Sequence, residues 1–114
     1  MTFKDFALSD PIVTAVTSMD FTTPTPIQEA VIPAFLEGSR DIVALAQTGT
    51  GKTAAFALPI LENFNDTPSH TSALVLCPTR ELAIQITKEI RHYSANLPHI
   101  EVDVVYGGTG YSEQ

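Results

Sequence analysis

The chain has 114 residues, of which 44% are hydrophobic, so it is long enough for one small domain with its own core and too apolar for a disordered chain. Its formal net charge of −7 argues against a broad nucleic-acid-binding face and confines any such site to a few cations and backbone N–H groups. No apolar run approaches the roughly 18 residues of a membrane span, and no signal-like segment is recognised near Met1.

Two helices are predicted in the first third of the chain. Ser9-Asp10-Pro11, with a capping residue and an early proline, predicts the start of the first helix. Thr25-Pro26 predicts the start of the second, which Gly38 should end and Pro33 should tighten or kink. Its apolar stripe is Ile27, Ala30, Val31 and Ala34.

The most informative stretch is A-Q-T-G-T-G-K-T at residues 46–53. An apolar run at 42–46 predicts a buried strand before it, and the helix-forming run 54–58 follows it. Strand, small-residue loop and helix are the context of a phosphate-binding P-loop, whose backbone N–H groups converge on an anion. Lys52 would add a charge to the β/γ-phosphates, Thr53 a hydroxyl to Mg²⁺, and Gly49 and Gly51 a backbone of positive φ. The alternative is a plain glycine-rich turn.

The remaining elements alternate between helix and strand. We expect Pro59 to bend or end the P-loop helix near Leu58. Residues 73–77 predict a second buried strand and 102–106 a third, which Gly107-Gly108 breaks. Pro78-Thr79 leads into a helix that should end at 96–98 and whose apolar face is Leu82, Ile86, Ile90 and Tyr93. The order ααβαβαβ predicts an α/β fold with a parallel sheet and flanking helices.

Cysteine and histidine are both infrequent in this chain. Cys77 is the only cysteine, so no internal disulfide is possible, and this fits a reducing cytoplasm. We expect Cys77 to be a buried structural thiol. The scattered histidines lack metal-ligand spacing and predict surface or loop positions: His70, His92 and His99.

Gln28 has two interpretations. A glutamine amide can accept from the adenine N6 amino group while donating to N7, a pairing that guanine does not offer, and Phe21 could lie against the base. Alternatively, Thr25, Pro26 and Gln28 form a capping box that only starts a helix. Local spacing alone favours the capping box.

The combination of motifs resembles the DEAD-box RNA helicases of superfamily 2, and bacterial members of the cold-shock DeaD or RhlE kind in particular. Residues 21–28 match the Q motif, 46–53 motif I, 78–83 motif Ia, and Gly107-Gly108 the GG motif, with Gln114 at its usual distance. Asp20 replaces the glycine that usually precedes Phe21. The Asp-Glu-Ala-Asp and Ser-Ala-Thr motifs of the family do not occur in the chain.

The resemblance implies a partial RecA-like P-loop domain, with residues 1–114 as the N-terminal part of the first helicase domain. It implies ATP and Mg²⁺ as cofactors, with Lys52 and Thr53 catalytic and Thr53 on the metal. The cofactor-binding residues would be Phe21, Thr23, Gln28, Thr48, Gly49, Thr50, Gly51, Lys52 and Thr53. The RNA-binding residues would be Pro78, Thr79, Arg80, Gly107 and Gly108. They would hold the RNA backbone without reading sequence.

The expected function is therefore ATP-dependent RNA helicase activity in an intact cytoplasmic protein, with RNA as partner and no membrane. We expect the 114-residue chain alone to be inactive. A non-catalytic ATP- or RNA-binding module is the alternative. A different P-loop enzyme, such as a kinase or GTPase, is disfavoured by Gln28 and residues 78–82. Without the family, Arg80 is equally well a solvated helix residue, and the glycine pair a plain turn.

Overall fold

The computed structural model describes residues 2–38, 41–45, 51–63 and 73–106. Within them, a short 3₁₀ turn at Phe3–Asp5 precedes helices α1 (Asp10–Ser18), α2 (Pro26–Glu37), α3 (Lys52–Glu62) and α4 (Arg80–Tyr93). The four helices that the sequence predicts are therefore present, although α3 and α4 do not end where the sequence predicts. Several predicted site residues lie outside the described residues: Thr48, Gly49, Thr50, Gly107 and Gly108. The predicted spacing to Gln114 lies outside them as well.

Both ends of α2 form as the sequence predicts. Thr25 Oγ1 accepts a hydrogen bond from the Gln28 backbone N–H at 3.5 Å, and the Thr25 backbone N–H donates to Gln28 Oε1 at 2.9 Å. This reciprocal capping box satisfies two N–H groups at the helix start. At the other end, Gly38 adopts φ +75°, the left-handed conformation that ends many helices. Pro33 lies inside the helix without ending it.

Helix α3 corrects one prediction, because it does not end near Leu58. Pro59 lies inside it and the helix continues to Glu62. A proline within a helix removes one backbone hydrogen bond and costs about 3 kcal/mol. The flanking side chains explain why the helix tolerates this cost, since Leu58, Pro59 and Leu61 are all buried. Apolar burial of about 1.5–3 kcal/mol per large side chain offsets the loss.

The hydrophobic core lies between the helices and the N-terminal turn. The main packing contacts join α2 with α3, α3 with α4, and α1 with both α3 and α4. Ile12, Ile32 and Leu58 are completely buried, one from each of α1, α2 and α3. Tyr93 contributes the end of α4 to the same cluster. Helix α3 is therefore the central element against which the others pack.

Helix α1 is joined to the rest of the molecule by two hydrogen bonds at its N-terminus. The Ser9 backbone N–H donates to Glu62 Oε1 at 2.7 Å, which connects the start of α1 to the end of α3. Asn96 Nδ2 donates to the Pro11 carbonyl oxygen at 3.2 Å, which connects it to the turn after α4. Both partners are distant in sequence, so α1 is positioned by tertiary contacts.

The three apolar segments expected to form strands carry no strand in the part of the chain that the structure describes. Residues 41–45 are exposed, with Val43 and Leu45 each 90% accessible, although burial on both faces was predicted. Residues 73–76 are likewise exposed, and Cys77 is half-buried rather than fully buried. Apolar side chains are buried only where another layer lies against them, and the described helices pack on each other instead.

The third segment differs from the other two. Along residues 101–106, exposed and half-buried positions alternate, with Val102, Val104 and Tyr106 on the half-buried side. This alternation is the period of a β-strand with one covered face. The parallel sheet itself stays a prediction.

Candidate nucleotide-binding site and RNA-facing helix start

The N-terminus of α3 is the first candidate site. Gly51 is the N-cap residue with φ +83°, and Lys52 and Thr53 are the first two helical residues. Since Gly51 has no side-chain acceptor, it cannot cap the N–H groups of the first turn, and that turn contains no acidic residue. Lys52 is exposed and Thr53 half-buried. N–H groups without a side-chain cap, the positive end of the helix dipole and one ammonium group together suit an anion.

Gln28 connects this helix start to the capping box of α2. Its Nε2 donates to the Gly51 carbonyl oxygen at 3.1 Å, while its Oε1 accepts from the Thr25 N–H. The Gln28 side chain is only 3% exposed. A Cβ built on Gly51 would overlap Gln28 Nε2 and lie 3.1 Å from Thr25 Oγ1. Glycine is therefore required at position 51 both by its backbone conformation and by the approach of this amide.

The hydrogen bonds of Gln28 bear on both of its interpretations, the capping box and the contact with adenine. The capping box is present, so that interpretation is confirmed. The amide of a glutamine has two acceptor lone pairs and two N–H donors, so one of each is left after the bonds to Thr25 and Gly51. One acceptor and one donor are the pair that the edge of adenine requires. The adenine contact thus stays a prediction that the capping box does not prevent.

Phe21 and Thr23 are placed differently from Gln28. Phe21 is half-buried and packs against the core, with its ring centroid 6.4 Å from that of Tyr93. Thr23 is exposed. Burial, and then the negative charge of Glu89, raise the pKa of Tyr93 above its ordinary value. Phe21 is accordingly held by an aromatic contact to α4.

The start of α4 is the second candidate site, and all three predicted residues there are solvent-exposed: Pro78, Thr79 and Arg80. Thr79 Oγ1 accepts from the Leu82 N–H at 3.1 Å, so the hydroxyl caps the helix. The N–H groups of Arg80 and Glu81 lie in the same first turn. Arg80 Nε is 3.9 Å from Glu81 Oε1, and both side chains are more than half exposed, so this ion pair is weak.

Arg80 also contacts an aromatic ring. Its guanidinium carbon lies over the ring of Tyr106, 5.6 Å from the centroid, within the range of a cation–π interaction. At the other end of α4, Arg91 donates from Nε and Nη2 to the Val102 carbonyl oxygen at 3.1 and 2.7 Å. Arg91 Nη2 is also 4.0 Å from Asp103 Oδ1. Both ends of α4 are thus connected to residues 101–106.

Comparisons with known proteins decide the family. The model of the DEAD/DEAH box helicase family matches residues 25–114. The chain belongs to this family. It is 46% identical, over 113 residues, to the ATP-dependent RNA helicase DeaD of Mycobacterium tuberculosis, covering 99% of this chain and 20% of that protein. The prediction of a bacterial DeaD-like DEAD-box member is therefore confirmed.

Solved structures of DEAD-box helicases agree with the fold. The RNA helicase Prp28 from Chaetomium thermophilum, bound to ADP, superposes with a TM-score of 0.89 at 37% identity, over 99% of this chain and 28% of that one. S. cerevisiae Dbp5 bound to RNA and ADP BeF3 gives 0.79 at 33% identity, over 83% and 25%. The chain spans about a fifth of the length of its bacterial relatives. The chain therefore has the fold of part of a RecA-like DEAD-box helicase domain.

Asp20 is the position at which the chain departs from the family motif. It adopts φ +64°, the left-handed conformation that favours glycine. Aspartate tolerates this region better than most residues, so the backbone is kept at a modest cost. The N–H of Phe21 still donates to the Val16 carbonyl oxygen at 3.0 Å. The aspartate therefore leaves the backbone that enters residues 21–28 intact.

Three partners were missed by sequence reasoning in this DEAD-box chain. They are the Gly51 carbonyl as acceptor for Gln28, Tyr106 beside Arg80, and the Val102 carbonyl beside Arg91. Each joins residues that no local spacing rule connects. Among the described residues, no cluster of His, Cys, Asp and Glu could hold a metal ion, and no helix is both long and apolar enough to cross a bilayer.

Proposed function

We propose that the chain is the N-terminal part of an ATP-dependent RNA helicase that couples RNA-stimulated ATP hydrolysis to local duplex separation. The observation that supports this most directly is the hydrogen bond from Gln28 to Gly51. It joins a residue suited to read adenine to the helix start suited to hold phosphates. A site with both parts binds a specific nucleotide rather than any anion.

In this proposal the P-loop holds the phosphates of ATP. Lys52 places its ammonium on the β/γ-phosphates, and the loop residues Thr48, Gly49, Thr50 and Gly51 supply backbone N–H groups. Thr53 is suited to a metal-bound phosphate, because its hydroxyl lies in the first turn of α3, where the N-cap residue forms no side-chain hydrogen bond. Mg²⁺ bound there would neutralise phosphate charge. Lys52 and the N–H groups orient the phosphates whether or not the metal is bound.

The base is assigned to Gln28, Phe21 and Thr23, and the RNA to the start of α4 together with the glycine pair. Gln28 uses its remaining acceptor and donor on adenine, with Phe21 and Thr23 alongside. Pro78, Thr79 and Arg80, with Gly107 and Gly108, hold the RNA sugar-phosphate backbone. Their polar groups can reach phosphate and sugar but offer no set that reads base edges, so binding is independent of sequence.

The proposed domain has a parallel sheet whose strands include residues 42–46, 73–77 and 102–106. The alternating exposure of residues 101–106 and the apolar character of the other two segments support it. Residues 1–114 then form the first part of the first helicase domain, and the complete protein acts in the cytoplasm. The remaining parts of the domain would cover Val43, Leu45, Leu74 and Leu76, which are exposed in this chain.

The test is RNA-stimulated ATP hydrolysis by the complete protein and its Lys52→Ala variant. We expect hydrolysis and strand separation to be lost, because a charge-assisted contact worth about 1.5–3 kcal/mol is removed. Lys88→Ala is the matched control, since Lys88 is an exposed lysine on α4, away from the start of α3. Normal hydrolysis in the Lys52 variant refutes the proposal.

The same preparations separate the alternatives. A competition of GTP against labelled ATP measures whether the base is read, and Gln28→Ala should erode that preference by about 1–3 kcal/mol. Tight ATP or RNA binding by the complete protein without any hydrolysis would favour a non-catalytic binding module. Equal use of GTP by the wild type would favour a different P-loop enzyme.

A further inference from the structure

Building on the proposed function, we infer that Tyr106 is a positioning residue that holds the Arg80 guanidinium ready for an RNA phosphate. The inference rests on the position of the Arg80 guanidinium carbon, which lies over the Tyr106 ring, 5.6 Å from its centroid. Tyr106 directly precedes the Gly107-Gly108 pair. The contact therefore joins one proposed RNA-backbone group to the residue next to the other.

The register of α4 against residues 101–106 makes this contact part of a larger arrangement. Arg91, near the C-terminal end of α4, donates twice to the Val102 carbonyl, whereas Arg80, at the N-terminal end, contacts Tyr106. The segment therefore runs antiparallel to the helix. From residue 80 to 91 a helix rises about 16 Å, and from 102 to 106 an extended chain spans about 13 Å. These lengths are similar enough for long side chains to make both contacts at once.

The ring leaves Arg80 able to bind phosphate, whereas a carboxylate would not. Attraction to an aromatic face uses the charge of the guanidinium and requires none of its N–H donors, so they stay available for a phosphate. The competing Glu81 carboxylate would occupy those donors, but it is 3.9 Å away and 79% exposed. Contact with Tyr106 thus restricts a flexible side chain before RNA arrives, and this lowers the entropy lost on binding.

The test measures the affinity of the complete protein for two unrelated single-stranded RNAs at several salt concentrations. We expect Tyr106→Leu to weaken binding of both RNAs about two- to five-fold, the factor that an exposed cation–π contact provides. Tyr106→Phe should retain wild-type affinity, because the aromatic face is kept. In an Arg80→Ala background, Tyr106→Leu should have no further effect.

Three outcomes overturn the inference: wild-type affinity in Tyr106→Leu, an equal loss in Tyr106→Phe, or an unchanged loss in the Arg80→Ala background. The last result would mean that Tyr106 contacts RNA itself or supports the fold. A second measurement, made without RNA, tests the contact between Arg80 and Tyr106 independently of RNA binding. The Arg80 Nε–H proton resonance should show a ring-current shift in the wild type and in Tyr106→Phe, and lose it in Tyr106→Leu. A wild-type protein that binds no RNA refutes the proposed function itself, and the resonance then shows only whether the contact exists.

Discussion

Replacement of Gly51 by alanine tests the contact between the start of α3 and Gln28. Gly51 has φ +83°, so any Cβ there is strained by about 1–2 kcal/mol. The added methyl group also overlaps Gln28 Nε2, which now donates to the Gly51 carbonyl oxygen. Displacing this buried amide from its partner costs a further 1–3 kcal/mol, roughly. We expect Gly51→Ala to lower the free energy of unfolding by about 2–5 kcal/mol in total.

Gly38→Ala is the matched control for this experiment. Gly38 has φ +75° but its added Cβ meets only the Leu36 carbonyl oxygen, at 3.9 Å, an ordinary contact. Its cost should therefore be the conformational strain alone, about 1–2 kcal/mol. The difference between the two variants isolates the contribution of the Gln28 contact.

The assay is urea unfolding of the 114-residue chain, followed by far-ultraviolet circular dichroism of its helices. Samples are kept at concentrations where sedimentation shows a monomer. Equal losses of stability in the Gly51 and Gly38 variants would refute the reasoning, since the close approach of Gln28 to Gly51 would then cost nothing. A double variant with Gln28→Ala should recover part of the loss at Gly51, because the amide that overlaps the methyl group is gone.

Further predictions concern backbone strain, pH and self-association. Because Asp20 has φ +64°, Asp20→Gly should melt at or above the wild-type temperature. The free energy of unfolding of Asp20→Val should be about 1–2 kcal/mol lower than that of Asp20→Gly, and equal melting temperatures of these two variants would count against the strain. The raised pKa of Tyr93 means that its proton is bound more tightly in the folded state, so its contribution is full below about pH 10 and is lost as pH rises further. The stability difference between wild type and Tyr93→Phe should therefore shrink only above that pH. Since Val43 and Leu45 are each 90% exposed, the chain should self-associate, and Val43→Lys should shift sedimentation towards the monomer; an unshifted profile would place the contact elsewhere.

The helices of this chain could be predicted because their signals are local. Thr25, Gly38 and Thr79 each mark a helix boundary through the conformation or hydrogen bond of that one residue. The end of α3 was predicted wrongly because Pro59 acts locally to break a helix, whereas the packing of its neighbours acts through the tertiary structure. Burial of the neighbouring side chains, rather than the low helix propensity of Pro59, therefore determined that α3 continues to Glu62.

The helix start and the capping box at the candidate site could be predicted from local patterns, but the hydrogen bond that connects them could not. The functional roles of these residues stay predictions. The pattern around Lys52 identified the helix start, and the pattern around Thr25 identified the capping box. That the same Gln28 amide serves both could not be read from spacing, because its partner is 23 residues away. Strands depend on neighbours in the same way, so the apolar runs at 42–46 and 73–77 predicted a burial that their sequence alone could not supply.

The attachment of α1 has a consequence for the order of events during synthesis. Its start is bonded to Glu62 and to Asn96, partners 53 and 85 residues away along the chain. Helix α1 leaves the ribosome before α2, α3 and α4, but its buried face has no surface to join until α3 and the turn after α4 have emerged. The nascent chain must therefore carry Ile12 and Val16 exposed until the residues up to Asn96 have been translated, a period in which a chaperone could bind them. Helix α1 is thus made before α2, α3 and α4 but reaches its native contacts only after α4 has been made.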